Sequence, residues 1–203
     1  WLYAWQKLYL PTLKPEKILI FPGSGHPAKN WPLDNFLKLA KNLQKDKEKI
    51  QFVLGPVEVE KNIQISEFPV ITPKNCADLN ELINILAKAK MVIGNDSGPM
   101  HLAGYMSIPG ISLFGPTSPE QWAPLGMHIL TSPRNCAPCS DTARISCPNP
   151  QCMAEIKVQN VLNVAKEILE NVKSSRILVD RQKKIKLPDL RESRKSKTKP
   201  AFP

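Results

Sequence analysis

Several features that would assign a chain to a large class at once are missing here. No apolar run approaches the ~20 residues a helix needs to cross a bilayer, so no membrane-spanning helix is expected. The first thirteen residues, WLYAWQKLYLPTL, are apolar and aromatic, yet they lack the basic start and small-residue cleavage site of a signal peptide. Aromatic residues amount to only 6%. They do not interleave with the basic residues, which removes the usual surface for single-stranded nucleic acid. Acidic residues are outnumbered, 18 against 28 basic, giving a net charge of +10. Histidine is rarer still, at three residues, so His101 stands out.

The basicity has a location. Arg176 to Pro203 holds ten Lys/Arg and three Asp/Glu, which is +7 of the +10. Residues 173–203 therefore read as a basic, flexible tail, solvated by default, whose charge would suit anionic lipid head groups or nucleic acid. A nucleic-acid-binding function would rest on this tail alone. What remains suffices for one α/β domain with a proper core, at 42% hydrophobic residues. Residues 1–16 read as a linker or docking segment, and a chain starting at Trp1 rather than Met is expected to be a fragment or a processed product.

Between these ends the pattern alternates. Lys17 to Pro22 (KILIFP) is a buried-strand run, followed by a Gly-rich turn at Gly23-Ser24-Gly25-His26 and by Leu33, Phe36, Leu37, Ala40 and Leu43 at helical spacing. Ile50 to Leu54 is the next strand, running into Gly55-Pro56 and an acidic segment with Glu58 and Glu60. Phe68 to Thr72 reads as a third strand, and Asp78 with Glu81 forms a capping box before a helix. Strands follow at Met91 to Ile93, Gly110 to Leu113 and His128 to Leu130, and a closing amphipathic helix runs from Val158 to Leu169. Alternation of this kind predicts an α/β fold with a doubly wound parallel sheet. Ligands in such folds gather at the carboxyl ends of the strands, where three polar turns lie: 23–29, 55–60 and 94–101.

The third turn belongs to the most informative stretch, MVIGNDSGPMHLAGYMSIPGISLFGPTSPEQW, Met91 to Trp122. It reads as strand, polar turn, helix opened by Pro99, strand, and a second turn at Phe114-Gly115-Pro116-Thr117. Pro in a first helical turn forfeits no hydrogen bond, and a helix start presents free N–H groups and a partial positive charge. Phosphate suits such a place. The bland alternative is a crossover whose turn residues only turn the chain.

The whole string GNDSGPMHLA, followed by LFGPTSPEQW, resembles the donor-binding domain of the family 9 glycosyltransferases, the lipopolysaccharide heptosyltransferases and their relatives. The resemblance extends from about Lys17 to about Leu169. It implies a Rossmann-like domain, the C-terminal half of a GT-B glycosyltransferase, spanning 17–172. It implies transfer of a sugar, heptose from ADP-heptose, to a lipopolysaccharide core or other glycolipid acceptor, with no cofactor required. It also implies a cytoplasmic location, with peripheral contact at the inner face of the inner membrane. The acceptor site and general base would lie in an N-terminal domain, so the catalytic residue is not assigned here. The alternative is a non-catalytic nucleotide-sugar-binding module, or a split half needing a partner chain.

Carried over position by position, the resemblance puts Asp96 at the donor's diphosphate and sugar, with Ser97, Gly98 and His101 lining the phosphate cradle. By themselves these residues are compatible with helix capping and packing. The pattern K-x-W-P matches Lys29, Trp31 and Pro32, which makes Lys29 a phosphate contact; otherwise it is an ordinary exposed lysine. Ser24 and Gly25 occupy the adjoining loop, where many relatives have hydroxyl residues at both positions, so Gly25 departs from the pattern. An acidic residue after the second strand would hold the ribose, since a carboxylate accepts from both hydroxyls. Spacing from Gly55 favours Glu60 over Glu58.

The cysteines are clustered: Cys76 alone, then Cys136, Cys139, Cys147 and Cys152 in a Pro-rich loop, 136–152. Such a set is compatible with zinc, with disulfides or with free thiols. We read it as structural. The C-x2-C half is zinc-like, the second spacing is looser, and a reducing cytoplasm disfavours disulfides.

Overall fold

The computed structural model describes residues 16–61, 63–73, 79–139, 147 and 151–184, with no side chain described at 57 or at 175–184. Cys76 and the Asp78 half of the capping box lie outside the described residues. Six strands form one sheet: β1 (Lys17–Phe21), β2 (Lys49–Val53), β3 (Val70–Ile71), β4 (Ala89–Asn95), β5 (Gly110–Phe114) and β6 (His128–Thr131). Their order is β3-β2-β1-β4-β5-β6 and every pairing is parallel. This is the Rossmann order, with its switch point between β1 and β4.

Parallel strands covered on both faces are apolar without alternation, and β1 and β5 show it. Ile18, Leu19, Ile20 and Phe21 are buried in succession, as are all five residues of β5. Six helices accompany the strands among the described residues: α1 (Leu33–Lys45), α2 (Pro56–Glu60), α3 (Leu79–Leu86), α4 (Gly98–Tyr105), α5 (Pro119–Trp122) and α6 (Val158–Lys184). In α1 the buried residues are Phe36, Leu39, Ala40 and Leu43, the i, i+3, i+4, i+7 face of an amphipathic helix. Trp31, almost wholly buried, meets Phe36 edge to face at 4.9 Å.

Three elements differ most in extent from the sequence reading. Strand β4 takes in Ala89 to Asn95, so Gly94 and Asn95, read as turn, are strand. The third strand pairs only at Val70 and Ile71, because its register with β2 covers just Phe52 and Val53. The closing helix runs on to Lys184, into the segment read as a tail. The chain divides into one compact unit ending at Leu169 and a second beginning at Glu170. The first holds the whole sheet, and the described part of the second is helical. No helix among the described residues is long and apolar enough to cross a membrane.

Gly104 shows how tightly α4 is packed. A Cβ built there would sit 2.5 Å from the carbonyl oxygen and 3.1 Å from the nitrogen of Leu125. Alanine ordinarily gains ~1 kcal/mol over glycine in a helix, but overpacking against backbone costs about 1–3 kcal/mol. Gly104→Ala is therefore expected to lower the urea midpoint, with little change in the slope of the transition. A raised midpoint would show that the 125 segment yields freely.

Candidate functional site

The switch point brings the ends of β1 and β4 side by side, with Phe21 in register with Gly94. Immediately beyond, Asn95 is fully buried. Its Nδ2 donates to the Pro22 carbonyl at 2.7 Å, and its Oδ1 accepts from the Trp31 N–H at 2.9 Å. One side chain thus ties both ends of the 22–31 loop to β4. The Trp31 indole N–H donates to the Ile156 carbonyl at 2.9 Å, fastening the same loop to the segment before α6.

Within that loop, a short 3-10 turn at Pro27–Lys29 is capped by His26, whose Nδ1 accepts from the Ala28 N–H. The turn delivers Lys29 to the switch point. Its Nζ donates to Asp96 Oδ2 at 2.9 Å, and Thr117 Oγ1 donates to the same oxygen at 2.9 Å. His101 Nε2 stands 3.8 Å from the other oxygen, Oδ1, beyond hydrogen-bond range. The Asp96 side chain is 7% exposed, against 18% for Lys29 and 37% for His101. A buried carboxylate is therefore satisfied on one oxygen by a cation and a hydroxyl, while its second oxygen faces an accessible imidazole.

Helix α4 begins at Gly98 directly after Asp96 and Ser97. Ser97 provides no side-chain cap, and its buried hydroxyl has no partner among the described residues. A cavity of about 230 Å³ opens here, bounded by Gly23, Ser24, Gly25, Glu58, Ser97 and Gly98. A second, apolar cavity of about 350 Å³ adjoins it, sharing Phe21, Val53, Gly55, Pro56, Gly98 and Pro99 and adding Leu79, Leu82 and Leu102. The first, though lined mostly by apolar surface, carries the pair's polar groups and the helix start and is the polar chamber of the two; the second is an apolar slot.

Of the carried-over residues, the structure brings Lys29, Asp96 and His101 together, and puts Ser24, Gly25, Ser97 and Gly98 on the polar chamber. Glu60 is not on it. Helix α2 turns Glu58 inward, where it is 8% exposed, its Oε2 accepting from the Gly55 N–H at 2.9 Å; Glu60 lies exposed. Two residues in a helix are about 200° apart around the axis, so only one of this pair can face the cavity. Gly23 is what makes room: a Cβ there would lie 2.0 Å from Glu58 Oε1. Ser24 is engaged internally, its hydroxyl donating to Asn30 Oδ1 at 2.6 Å or to the His26 carbonyl at 2.8 Å. A Cβ at Gly25 or Gly98 would meet nothing within 4 Å, so both leave open space at the cavity.

Cys136, Cys139, Cys147 and Cys152 are free thiols. Burial pushes the Cys139 thiol up, and the neighbouring sulfurs of Cys147 and Cys136 add to the shift. Burial likewise raises the Cys152 thiol. Although these sulfurs feel one another's charge, no group of three or more His, Cys, Asp or Glu among the described residues could hold a metal ion. Structural zinc needs four converging ligands, and most of the loop between these cysteines, 140–146 and 148–150, lies outside the described residues. What the segment does contact is the turn after β5. The Cys139 N–H donates to the Pro116 carbonyl at 2.8 Å, and a Cβ on Gly115 would strike Met153 Sδ at 2.6 Å and Cys152 Sγ at 2.9 Å.

Two residues of this site escape the sequence reading, Asn95 and Thr117. Both lie in quoted motifs, and both are polar groups that follow a mostly apolar strand stretch. That is the available signal, because a buried polar side chain must find partners.

Residues 4–163 match the family model described as Glycosyltransferase family 9 (heptosyltransferase). Among curated relatives, lipooligosaccharide heptosyltransferase 2 of Campylobacter jejuni is 30% identical over 169 residues, covering 77% of this chain and 52% of that protein. The chain thus spans about half the length of that relative. Among solved structures, E. coli heptosyltransferase WaaC with ADP superposes with a TM-score of 0.63 at 22% identity, over 82% of this chain and 49% of that one. The iron-containing dodecameric glycosyltransferase TibC from enterotoxigenic E. coli gives 0.65 at 18% identity, over 80% and 47%. These likenesses show the fold: half of a GT-B glycosyltransferase.

Asn95→Ala would leave the Pro22 carbonyl and the Trp31 N–H buried without their partner. At about 1–3 kcal/mol for each orphaned group, the loss is expected to be roughly 2–6 kcal/mol in urea unfolding. A loss below about 1 kcal/mol would show that water takes over both bonds.

Proposed function

The chain belongs to glycosyltransferase family 9, and from that membership we propose that the crevice between β1 and β4 takes the nucleotide-sugar donor of a heptosyltransferase. The donor proposed is ADP-heptose, and the acceptor a lipopolysaccharide core sugar. The observation that carries this reading is the Lys29–Asp96 pair at a helix start, beside the paired polar and apolar cavities.

The parts of a nucleotide sugar map onto these features by chemistry. The apolar slot between Phe21, Pro99 and Leu102 suits a nucleobase, which needs flat apolar walls. Glu58, rather than Glu60, offers a fixed carboxylate for ribose hydroxyls. The diphosphate lies over Gly98 at the start of α4, where the helix dipole and first-turn N–H groups favour anions. Lys29 turns from Asp96 to the phosphates, and Asp96 Oδ1 with His101 meets the sugar.

Transfer breaks the bond between the anomeric carbon and the diphosphate oxygen, so negative charge grows on the leaving group. The Lys29 ammonium and the N–H groups of the helix start would stabilise that charge in place. Removal of the acceptor's proton is assigned to the part of the relatives' length that this chain does not span. Peripheral contact with the cytoplasmic face of a membrane belongs to the same proposal, since the acceptor is a glycolipid. Two solved neighbours support the choice of donor, E. coli WaaC with ADP and with ADP-2-deoxy-2-fluoro heptose.

Calorimetric titration of the chain with ADP, UDP, GDP and CDP tests the site and the base together. Binding is expected to favour ADP. Lys29→Ala and Asp96→Ala each remove a charged partner, for a loss of about 1.5–3 kcal/mol, or roughly tenfold to a hundredfold in affinity. Gly98→Ala keeps the fold, because its methyl meets nothing within 4 Å, and weakens ADP by filling the phosphate's place. Unchanged affinity in all three variants would refute the placement. Transfer of heptose onto a deacylated core acceptor distinguishes a complete enzyme from a donor-binding half.

A further inference from the structure

We propose that Thr117 is a positioning residue that keeps Asp96 seated while Lys29 changes partners between Asp96 and the donor's diphosphate. The inference rests on the donor-site reading above and adds to it the residue that makes the exchange tolerable.

The two donors to Asp96 Oδ2 are equal in length, 2.9 Å each, and unequal in everything else. Lys29 is a long, flexible side chain, 18% exposed, on a short 3-10 turn that follows Gly25, which lines the cavity. Its ammonium can swing to an anion in the polar chamber without moving the backbone. Thr117 has a single rotatable bond before its hydroxyl, and the residue is 6% exposed. Its turn is fastened from two directions. The Ser132 N–H donates to the Phe114 carbonyl at 2.9 Å, and the Cys139 N–H donates to the Pro116 carbonyl at 2.8 Å. Between them, Gly115 is covered by Met153 and Cys152. Lys29 is thus the exchangeable partner and Thr117 the permanent one.

Charge makes the permanent partner necessary. Asp96 is a buried carboxylate, and without any donor on Oδ2 the departure of Lys29 would strand it uncompensated. A hydroxyl supplies one donor without neutralising the anion. It also fixes which oxygen is committed: Oδ2 stays with Thr117, and Oδ1, 3.8 Å from His101 Nε2, stays available to a sugar hydroxyl. A cation in place of Thr117 would lack this effect, because it would compete with Lys29 for the same oxygen.

The test is calorimetry on the full 203-residue chain with ADP and with adenosine, which lacks the phosphates. Thr117→Val keeps the shape and removes the donor. It is expected to weaken ADP about tenfold, the low end for a hydrogen bond to a charged group, and to leave adenosine unchanged. Thr117→Ser should bind ADP as the wild type does. In an Asp96→Asn background, Thr117→Val should cost nothing further, because the two residues act as one unit. Equal losses for ADP and adenosine, or an undiminished loss in the Asp96→Asn background, would overturn the proposal. So would wild-type affinity in Thr117→Val.

A second cycle needs no ligand. Urea unfolding of Thr117→Val, Asp96→Asn and the double variant, all in a Lys29→Met background, reads whether Thr117 holds Asp96 when Lys29 is gone. A clear coupling supports the proposal and zero coupling overturns it. If the wild type binds neither ADP nor adenosine while this coupling is present, the donor-site reading fails and the seating of Asp96 stands.

Discussion

The carboxamide of Asn95 is the constraint on which the rest of the site depends. It is wholly buried at the end of β4, and it serves two backbone groups that belong to another part of the chain. Each would otherwise be a polar atom without a partner in the interior, which proteins rarely tolerate. Satisfying both at once fixes the entrance and exit of the loop that holds Lys29. The residue that follows β4 is Asp96, so the loop and the carboxylate it meets are referred to a single point. The placement of the Lys29 backbone within reach of Asp96 follows from that geometry.

Around this point the two adjoining cavities differ in chemistry because they are walled by different kinds of element. The polar chamber is bounded by turns and a helix start, where backbone N–H groups and glycines approach the open space. The apolar slot shares Phe21 and Val53 with that chamber and is closed instead by Leu79, Leu82 and Leu102. A ligand with one flat apolar end and one anionic end matches this division without further adjustment. The contrast arises from the fold class itself, since parallel strands end in turns at the same edge where their covering helices begin.

Much of the architecture is legible in the residues. Continuous apolar runs such as KILIF and GISLF announce strands buried on both faces, and their alternation with amphipathic segments gives the parallel sheet. What fails is detail set by long-range partners. The third strand pairs for only two residues, because the register offered by β2 ends there. Spacing from Gly55 points to Glu60, and only the direction of a short helix puts Glu58 on the cavity instead. Asn95 and Thr117 are visible as polar residues after apolar strands, but their partners lie far along the chain, at Pro22, Trp31 and Asp96. Lys29 and Asp96 are legible as candidates through motif resemblance, and their contact spans 67 positions.

The indole bond from Trp31 to the Ile156 carbonyl spans 125 positions, more than half the chain. This has a consequence for the order of events during synthesis. The strands and helix that flank Trp31 can be made and can pair early, yet the loop between them has no indole anchor until residue 156 has left the ribosome. At elongation rates of about 5–20 residues per second, that interval lasts on the order of 6–25 seconds. Throughout it Trp31 is without the acceptor that its ring N–H has in the finished fold. A nascent chain would therefore complete its core sheet before it completes its site, and truncation before Ile156 would yield a sheet whose Lys29 loop lacks this anchor.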